Sequence, residues 1–265
     1  MTYMRLCEAL GIRPGEAVAF VGAGGKTTAI WRVQAELGAQ GASVVYVTTT
    51  KMMEPALPPG SALYLAPRPD AIRISSLLEL APRLVMAARR PADPVTPQTD
   101  HPVPSRPFKL DGLPPDTLNE LIRQLPGVTW LIEADGAKGC GLKIHAEHEP
   151  VIPSGVTTAV VMAHLDVLGS PLDGTTAHRV DDATRLLGVP MGTPITPALF
   201  ADVLCHATSR KGAPDGARIV LMLTQRSTTL HPDAQALAGL LRKTYRHIVF
   251  AVLRSDDPVL AALLP

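Results

Sequence analysis

The sequence predicts an α/β fold in which a mostly parallel, twisted sheet is flanked by helices, and two observations predict it. Short apolar runs rich in β-branched residues recur along the 265-residue chain and are bounded by turn-forming residues. Their hydrophobicity is continuous, which is typical of strands buried on both faces of a parallel sheet. Helical patterns lie between several of these runs, and this alternation of strands and helices indicates a doubly wound domain.

The individual elements follow from these two patterns in chain order. The strands are expected at Ala17–Val21, Ser43–Thr48, Ala62–Leu65, Thr129–Ala134, Thr158–Ala163, Arg218–Leu223 and His247–Leu253. After the first strand, apolar residues from Ala29 to Leu37 recur at helical spacing, and Gly38 is expected to end that helix. A second helix is expected at 116–125, ended by Pro126, and a third at 233–243. In the third, an acid comes first and bases come last, as the helix dipole prefers.

One proline-rich stretch interrupts the alternation. Residues 91–107, PADPVTPQTDHPVPSRP, show no periodicity and indicate an irregular loop. Strand and helix patterns resume on both sides of it, so the stretch is not interpreted as a domain boundary. We therefore expect residues 1–265 to form a single domain.

The composition excludes several classes of protein. Lys and Arg number 25 against 24 Asp and Glu, so the net charge of +1 offers no basic excess for nucleic acid, and aromatic residues make up only 4%. The three cysteines are widely spaced and indicate neither a disulfide framework nor a CxxC metal motif. The sequence shows no signal-peptide pattern and no apolar run long enough to cross a bilayer, so we expect a cytoplasmic protein without a membrane partner.

The strongest motif follows the first predicted strand. The sequence GAGGKTT joins that strand directly to the first helical pattern, which is the setting of a phosphate-binding loop, or P-loop. Glycines let backbone N–H groups turn towards phosphate oxygens, and the positive end of the following helix adds to the attraction. Lys26 is expected to reach the β- and γ-phosphates, and the Thr27 hydroxyl to bind Mg²⁺. The predicted nucleotide-binding residues of the loop are Gly22, Ala23, Gly24, Gly25, Lys26, Thr27 and Thr28.

The loop departs from the usual GxxxxGK[ST] pattern at one position. Phe20 stands where the first glycine of that pattern is expected, so the loop resembles the GxGGKTT variants in which the first glycine comes later. The alternative interpretation is a glycine-rich turn whose lysine is merely solvated. Because GGKTT lies between a strand and a helix, the sequence favours a P-loop NTPase-like fold that binds ATP or GTP with Mg²⁺.

A P-loop also needs an acidic centre at the end of another buried strand, and the run TWLIEADG supplies one. In an extended strand Glu133 and Asp135 point to the same side, so both could face the phosphates. One is expected to hold Mg²⁺, directly or through water, and the other to orient a water molecule. The candidate catalytic residues are therefore Lys26, Glu133 and Asp135, and the candidate metal ligands are Thr27, Glu133 and Asp135. The alternative is ordinary solvation of two acids at a strand end.

Two other groups of polar residues leave alternatives open. Thr49 and Lys51 follow the second predicted strand, where they could contact the γ-phosphate or a second substrate, or simply reflect ordinary strand composition. Cys140, His145 and His148 could hold a metal ion, or they could belong to a surface loop.

Further charged residues lie at or beyond predicted strand ends. Lys138 and Lys143 could neutralise phosphate or an anionic substrate, or be solvated. His164 and Asp166 end the fifth predicted strand on the side where α/β sheets bind ligands, although Asp166 could equally cap a turn. Arg179 could supply a cation to a developing phosphate charge, as arginine fingers do.

The chain resembles the YqeC family through motifs that extend over most of its length. They are GAGGKTT, TTTKM, EADGAKG, HEPVIP and LDVLG, and the pair EADGAKG and HEPVIP is more specific than a P-loop alone. Members of that family are described as accessory proteins of selenium-dependent molybdenum hydroxylases. The resemblance therefore implies a P-loop fold and a partner, which would be such a hydroxylase or its cofactor-insertion machinery.

Two positions depart from the family pattern. His145 stands where family members tend to carry proline. The sequence LTQRS stands where many carry LNKxD, so that Ser227 replaces an aspartate that would bind the edge of guanine. The choice between ATP and GTP therefore stays open, with ATP favoured.

Three functions are compatible with these motifs. The resemblance implies a nucleotide-binding and nucleotide-hydrolysing accessory protein for maturation of a selenium-dependent molybdenum hydroxylase. The first alternative is a P-loop kinase or ligase that acts on a small anionic acceptor near Thr48–Lys51 and Lys143, and the second is a non-catalytic nucleotide-binding module. Because related P-loop switches commonly dimerise, a homodimer is a further expectation, and a mass measurement in solution would test it.

Overall fold

The computed structural model describes residues 4–89 and 109–265, so the predicted loop at 91–107 lies outside the described residues. Within this part, the strands are β1 (Ala17–Gly22), β2 (Val44–Thr48), β3 (Met52–Met53), β4 (Ser61–Leu65), β5 (Arg83–Ala87), β6 (Lys109–Leu110), β7 (Thr129–Glu133), β8 (Leu142–Lys143), β9 (Thr158–His164), β10 (Ala177–His178), β11 (Arg218–Thr224), β12 (His247–Ala251) and β13 (Val259–Leu263). The α-helices are α1 (Leu6–Ala9), α2 (Lys26–Gly38), α3 (Ala71–Leu80), α4 (Pro115–Gln124), α5 (Val180–Leu187), α6 (Pro197–Cys205) and α7 (Ala234–Leu241). Short 3₁₀ helices lie at Leu165–Val167 and Ala207–Arg210.

Nine strands form one sheet in the order β13-β12-β11-β9-β1-β7-β2-β5-β4. All neighbouring pairs in it are parallel except β12 and β13, which are antiparallel. The predicted α/β fold with a mostly parallel sheet is therefore confirmed. Two small sheets accompany it, one of the parallel strands β8 and β10 and one of the antiparallel strands β3 and β6.

Both faces of the sheet are buried, as continuous hydrophobicity predicts. Along β1 the side chains alternate between two hydrophobic clusters, with Ala19 and Val21 in one and Val18 and Phe20 in the other. Helices α1 and α2 cover the face of Phe20, whereas residues of α3 to α7 belong to the opposite cluster. Phe20 is fully buried inside β1. The strand continues to Gly22, and the glycine-rich loop begins there.

All seven predicted strands are present, and their ends differ from the predicted ones by two residues at most. The predicted helices at 116–125 and 233–243 correspond to α4 and α7. Gly38 is the last residue of α2 and does not follow it, which corrects the predicted end by one residue. The sequence did not predict β5 or the edge strand β13. In the described ranges, no helix is both long and apolar enough to cross a membrane.

The parallel arrangement gathers the carboxyl ends of the central strands at one edge of the sheet. Strand β1 lies between β7 and β9, and β2 lies on the far side of β7. In the register of these strands, Glu133 at the end of β7 pairs with Phe20 on one side and with Thr48 on the other. Gly22 at the end of β1 pairs with Met162 of β9. The glycine-rich loop and the acidic run therefore meet at the same edge.

Candidate functional site

The glycine-rich loop takes a backbone conformation that its glycines permit. Gly22, Gly24 and Gly25 have φ angles of 91°, 88° and 99°, in the left-handed region that other residues rarely adopt. A Cβ atom at Gly22 would lie 2.4 Å from the carbonyl oxygen of Met162, and one at Gly24 would lie 2.8 Å from backbone atoms of Ala163. The loop is therefore pressed against the end of β9, and a larger residue at either position would push it away.

Helix α2 begins at Lys26, immediately after the loop. Its N-cap residue, Gly25, supplies no side-chain cap, and the first turn carries no acidic residue. The backbone N–H groups at the start of a helix need acceptors, and the helix dipole places partial positive charge there. The loop and the helix end together form a setting that favours an anion.

The ammonium group of Lys26 is folded back into the loop. Its Nζ atom donates a hydrogen bond to the carbonyl oxygen of Gly22 at 2.6 Å and lies 3.0 Å from Oδ1 of Asp135. The side chain is only 4% exposed. The motif assigns Lys26 to phosphate binding, but in this arrangement the Gly22 carbonyl and the Asp135 carboxylate hold its ammonium group.

Asp135 is fully buried and is surrounded by donors. Its Oδ2 atom accepts the Gly22 N–H at 2.8 Å and lies 3.1 Å from Nζ of Lys143. His145 Nε2 lies 2.6 Å from the same oxygen and donates to it, since an ionised carboxylate only accepts. Burial opposes ionisation of this carboxyl, but the charge of Lys26, the hydrogen bond from His145 and the charge of Lys143 together hold its pKa well below the usual value.

Glu133 makes a separate set of contacts on the Thr27 side of the loop. The Thr27 hydroxyl donates to Glu133 Oε2 at 3.1 Å, and the Tyr46 hydroxyl donates to the same oxygen at 2.6 Å. Burial raises the pKa of Tyr46 well above its ordinary value, and the charge of Glu133 adds to the effect. The Thr27 hydroxyl and the Glu133 carboxylate are adjacent hard oxygen donors, the type that Mg²⁺ prefers, so these residues fit the metal that the motif implies.

The threonine run after β2 lies beside the acidic strand but is internally bonded. The Thr48 hydroxyl donates to the Glu133 carbonyl at 3.1 Å, and the Thr49 hydroxyl donates to the Val151 carbonyl at 2.8 Å. Lys51 is 69% exposed and lies 3.9 Å from Asp111. The structure thus brings Thr49 next to the acidic run, whereas the ion pair of Lys51 is with a residue outside the candidate site.

The family model described as YqeC protein matches residues 18–181. The chain belongs to the YqeC family. It is 26% identical over 243 residues to "Uncharacterized protein YqeC" of Escherichia coli (strain K12), which covers 90% of this chain and 86% of that protein. No solved structure matches the chain.

The family match includes most of the candidate site. The glycine-rich loop, both acids, Lys143 and His145 all lie inside the matched range. The similarity to the Escherichia coli protein covers nearly the whole chain, but that protein is itself described as uncharacterized. Membership of the YqeC family therefore assigns the chain to a group without assigning it a reaction.

The hypothesis of a metal site at Cys140, His145 and His148 gains no support from the geometry. His145 is engaged with Asp135, and Cys140 Sγ lies 3.6 Å from the carbonyl oxygen of Gly174. Over residues 4–89 and 109–265, no group of three or more His, Cys, Asp or Glu side chains is arranged to hold a metal ion.

Sequence reasoning missed two residues that contact the loop or its acids. Thr224, at the end of β11, donates its hydroxyl to the Gly24 carbonyl at 2.7 Å, and His164 Nδ1 lies 2.8 Å from that hydroxyl. Tyr46, in the middle of β2, reaches Glu133. Polar residues at the carboxyl end of a buried parallel strand were the available signal for Thr224, whereas nothing in the sequence distinguished Tyr46 from a core residue.

Proposed function

We propose that this member of the YqeC family binds a nucleoside triphosphate, ATP or GTP, with Mg²⁺ at residues 22–28. The observation that carries the proposal is the loop of three left-handed glycines between a buried strand and an uncapped helix whose first residue is lysine. This combination offers a helix N-terminus and its backbone N–H groups to one anion, and the Lys26 ammonium group would join them on leaving Asp135. The candidate residues contribute in different ways.

In the proposed complex, the backbone of the loop holds the phosphates and Lys26 leaves Asp135 to contact the β- and γ-phosphates. Thr27 and Glu133 hold Mg²⁺, which neutralises charge on the phosphate oxygens. Asp135 has the narrower role of ordering the loop, because its Oδ2 atom accepts the Gly22 N–H and the donors around it leave it fully enclosed. Thr28 takes part through its backbone in the first turn of α2, whereas the Ala23 N–H already donates to the Met162 carbonyl at 2.9 Å.

We further propose that nucleotide hydrolysis serves maturation of a selenium-dependent molybdenum hydroxylase. The support for this step is the family resemblance of the motifs EADGAKG and HEPVIP. The kinase or ligase alternative needs free groups for an anionic acceptor, but the hydroxyl of Thr49 and the ammonium of Lys143 already have internal partners. Turnover that rises only in the presence of the hydroxylase would support the accessory role, and phosphorylation of a small acceptor would contradict it.

A thermal-shift titration with Mg-ATP and Mg-GTP tests the binding step. A ligand at about 100 times its dissociation constant adds roughly 2.7 kcal/mol to the free energy of unfolding, which raises the Tm by several degrees at this chain length. We expect such a shift with one nucleotide in the wild type and in Lys243→Ala, a variant of an exposed lysine, but not in Lys26→Ala. No shift with either nucleotide in the wild type would contradict the proposal.

A further inference from the structure

Behind the loop lies a cluster of five charged side chains, called here the buried ion cluster: Lys26, Asp135, Lys143, Glu149 and Arg179. Lys143 Nζ lies 3.1 Å from Asp135 and 3.2 Å from Glu149, and Arg179 Nε lies 3.0 Å from Glu149. Lys26 joins the cluster through Asp135 at 3.0 Å. The side chains of Asp135 and Lys143 are 0% exposed. The cluster thus connects the loop to the start of α5, where Arg179 is the N-cap residue.

The cluster holds one positive charge in excess, since three cations face two carboxylates. The pKa of the neighbouring His178 is lowered by burial and then by the charges of Lys143 and Arg179, while the charge of Glu149 opposes the shift. The pKa of Glu149 is lowered to about 2 against the opposing effect of burial, by the hydrogen bond from Arg179 and the charge of Lys143. Arg179 is the most exposed member at 28%, so water partly solvates the excess charge, whereas the two lysines and Asp135 are at most 4% exposed and depend on one another as partners.

Lys26 is the member of the cluster that can leave without exposing a buried charge. If its ammonium moves away, Asp135 keeps Lys143 and Glu149 keeps Arg179, so the remaining charges balance. Asp135 also keeps its hydrogen bonds from the Gly22 N–H and from His145. Lys143 differs from Lys26 because it has contacts with both carboxylates and also donates to the Gly136 carbonyl at 2.6 Å.

We infer that Lys143 is a positioning residue, the permanent counter-ion of Asp135, and that its presence lets Lys26 exchange between Asp135 and the phosphates of a nucleotide in the loop. Without Lys143, Lys26 would be the sole lysine available to the buried carboxylate, and a phosphate group would have to compete for it. The inference rests on the proposed function, because it names the group that makes the P-loop lysine available. Lys143 acts through Lys26 and has no assigned contact with the nucleotide.

Three substitutions test the inference, and the dissociation constant is measured for the Mg-nucleotide that binds the wild type. Lys143→Met should weaken binding by about tenfold, which is within the usual range for coupled sites, and Lys143→Arg should recover part of the affinity. Glu149→Gln removes a carboxylate and increases the positive excess, so it should tighten binding severalfold. A merely structural role would weaken binding in both Lys143→Met and Glu149→Gln. Unchanged affinity in Lys143→Met, or weaker binding in Glu149→Gln, would overturn the inference.

A second arm needs no nucleotide. The Tm of Lys26→Met, Lys143→Met and the double variant is measured in the nucleotide-free protein. Because either lysine can serve as counter-ion of Asp135, the double variant should lose clearly more than the sum of the two single losses. An additive result would overturn the inference, even if the wild type binds nucleotide. If the losses of the variants are non-additive but the wild type binds neither ATP nor GTP, the counter-ion assignment is supported and the proposed function is contradicted.

Discussion

Gly24 shows how much of the candidate site depends on a single missing side chain. Its backbone lies in the left-handed region, and a Cβ atom there would lie 2.8 Å from Ala163 C and from His164 N. Gly41 has a similar φ of +82°, but a Cβ atom there would have no neighbour within 4 Å. The two glycines therefore separate the cost of backbone strain from the cost of a clash.

We expect Gly41→Ala to lose about 1–2 kcal/mol of unfolding free energy from strain alone. Gly24→Ala should lose more, since the end of β9 must move, and it should also lose the nucleotide-induced shift in Tm. Urea unfolding and thermal-shift titration of both variants measure this. Equal losses of stability, with nucleotide response retained in Gly24→Ala, would show that the close approach of loop and strand does not matter.

The buried ion cluster joins the loop to α5, and its carboxylates make the free energy of unfolding depend on pH in acid. The pKa of Glu149 is about 2 in the folded protein, below its ordinary value of 4.5, because Arg179 and Lys143 outweigh the effect of burial. A carboxyl whose pKa is lower in the folded state contributes stability above its unfolded pKa and loses that contribution as the pH falls through the folded pKa. The contribution of Glu149 is therefore complete above about pH 4.5 and declines between pH 4.5 and 2.

The expected outcome is a lower unfolding free energy for Glu149→Gln at pH 6 and a shallower decline with acid than in the wild type. Urea unfolding at several pH values from 6 to the acid limit of the folded protein measures it, with Glu79→Gln, a variant of an exposed residue, as the control. If Glu149→Gln declines as steeply as the wild type and the control, Glu149 does not contribute in this way.

The central strands could be predicted well from the sequence because the hydrophobic pattern of each one lies within the strand itself. A parallel strand buried on both faces is a continuous apolar run, and β1, β2, β7, β9 and β11 all have that pattern. The strand β13 has the sequence VLAAL, whose alanines and leucines favour a helix. Its extended form depends on antiparallel pairing with β12, a contact between segments that no local pattern reveals.

In the candidate site, too, some residues could be predicted from local sequence, whereas the contacts between distant segments could not. The loop, Glu133 and Asp135 follow from a motif and from the ends of buried strands. The contacts of Asp135 are with Lys143 in β8, which pairs with β10, and with His145 just after it, and they could not be derived from spacing. Thr224 reaches Gly24 across 200 residues of chain, because β11 is the neighbour of β9 in the sheet.

For the whole molecule, we propose that the sheet assembles one Mg-nucleotide site at the carboxyl ends of its middle strands. The family match and the fold are compatible with that claim, and direct binding decides it. In the folded protein, Lys26 is inside the loop, so binding must displace it from Asp135. Lys26 and Thr27 should then contribute in distinguishable ways, one to phosphate and one to the metal.

Isothermal titration calorimetry of the wild type with ATP and with GTP, each with Mg²⁺ and with EDTA, is the most direct test. We expect one site per chain for one of the two nucleotides, weaker binding in EDTA, and loss of binding in Lys26→Met. Thr27→Ala should reduce the difference between Mg²⁺ and EDTA, and Thr27→Ser should restore it. If a folded wild type binds neither nucleotide, or if Lys26→Met binds as well as the wild type, the sheet does not assemble a nucleotide site.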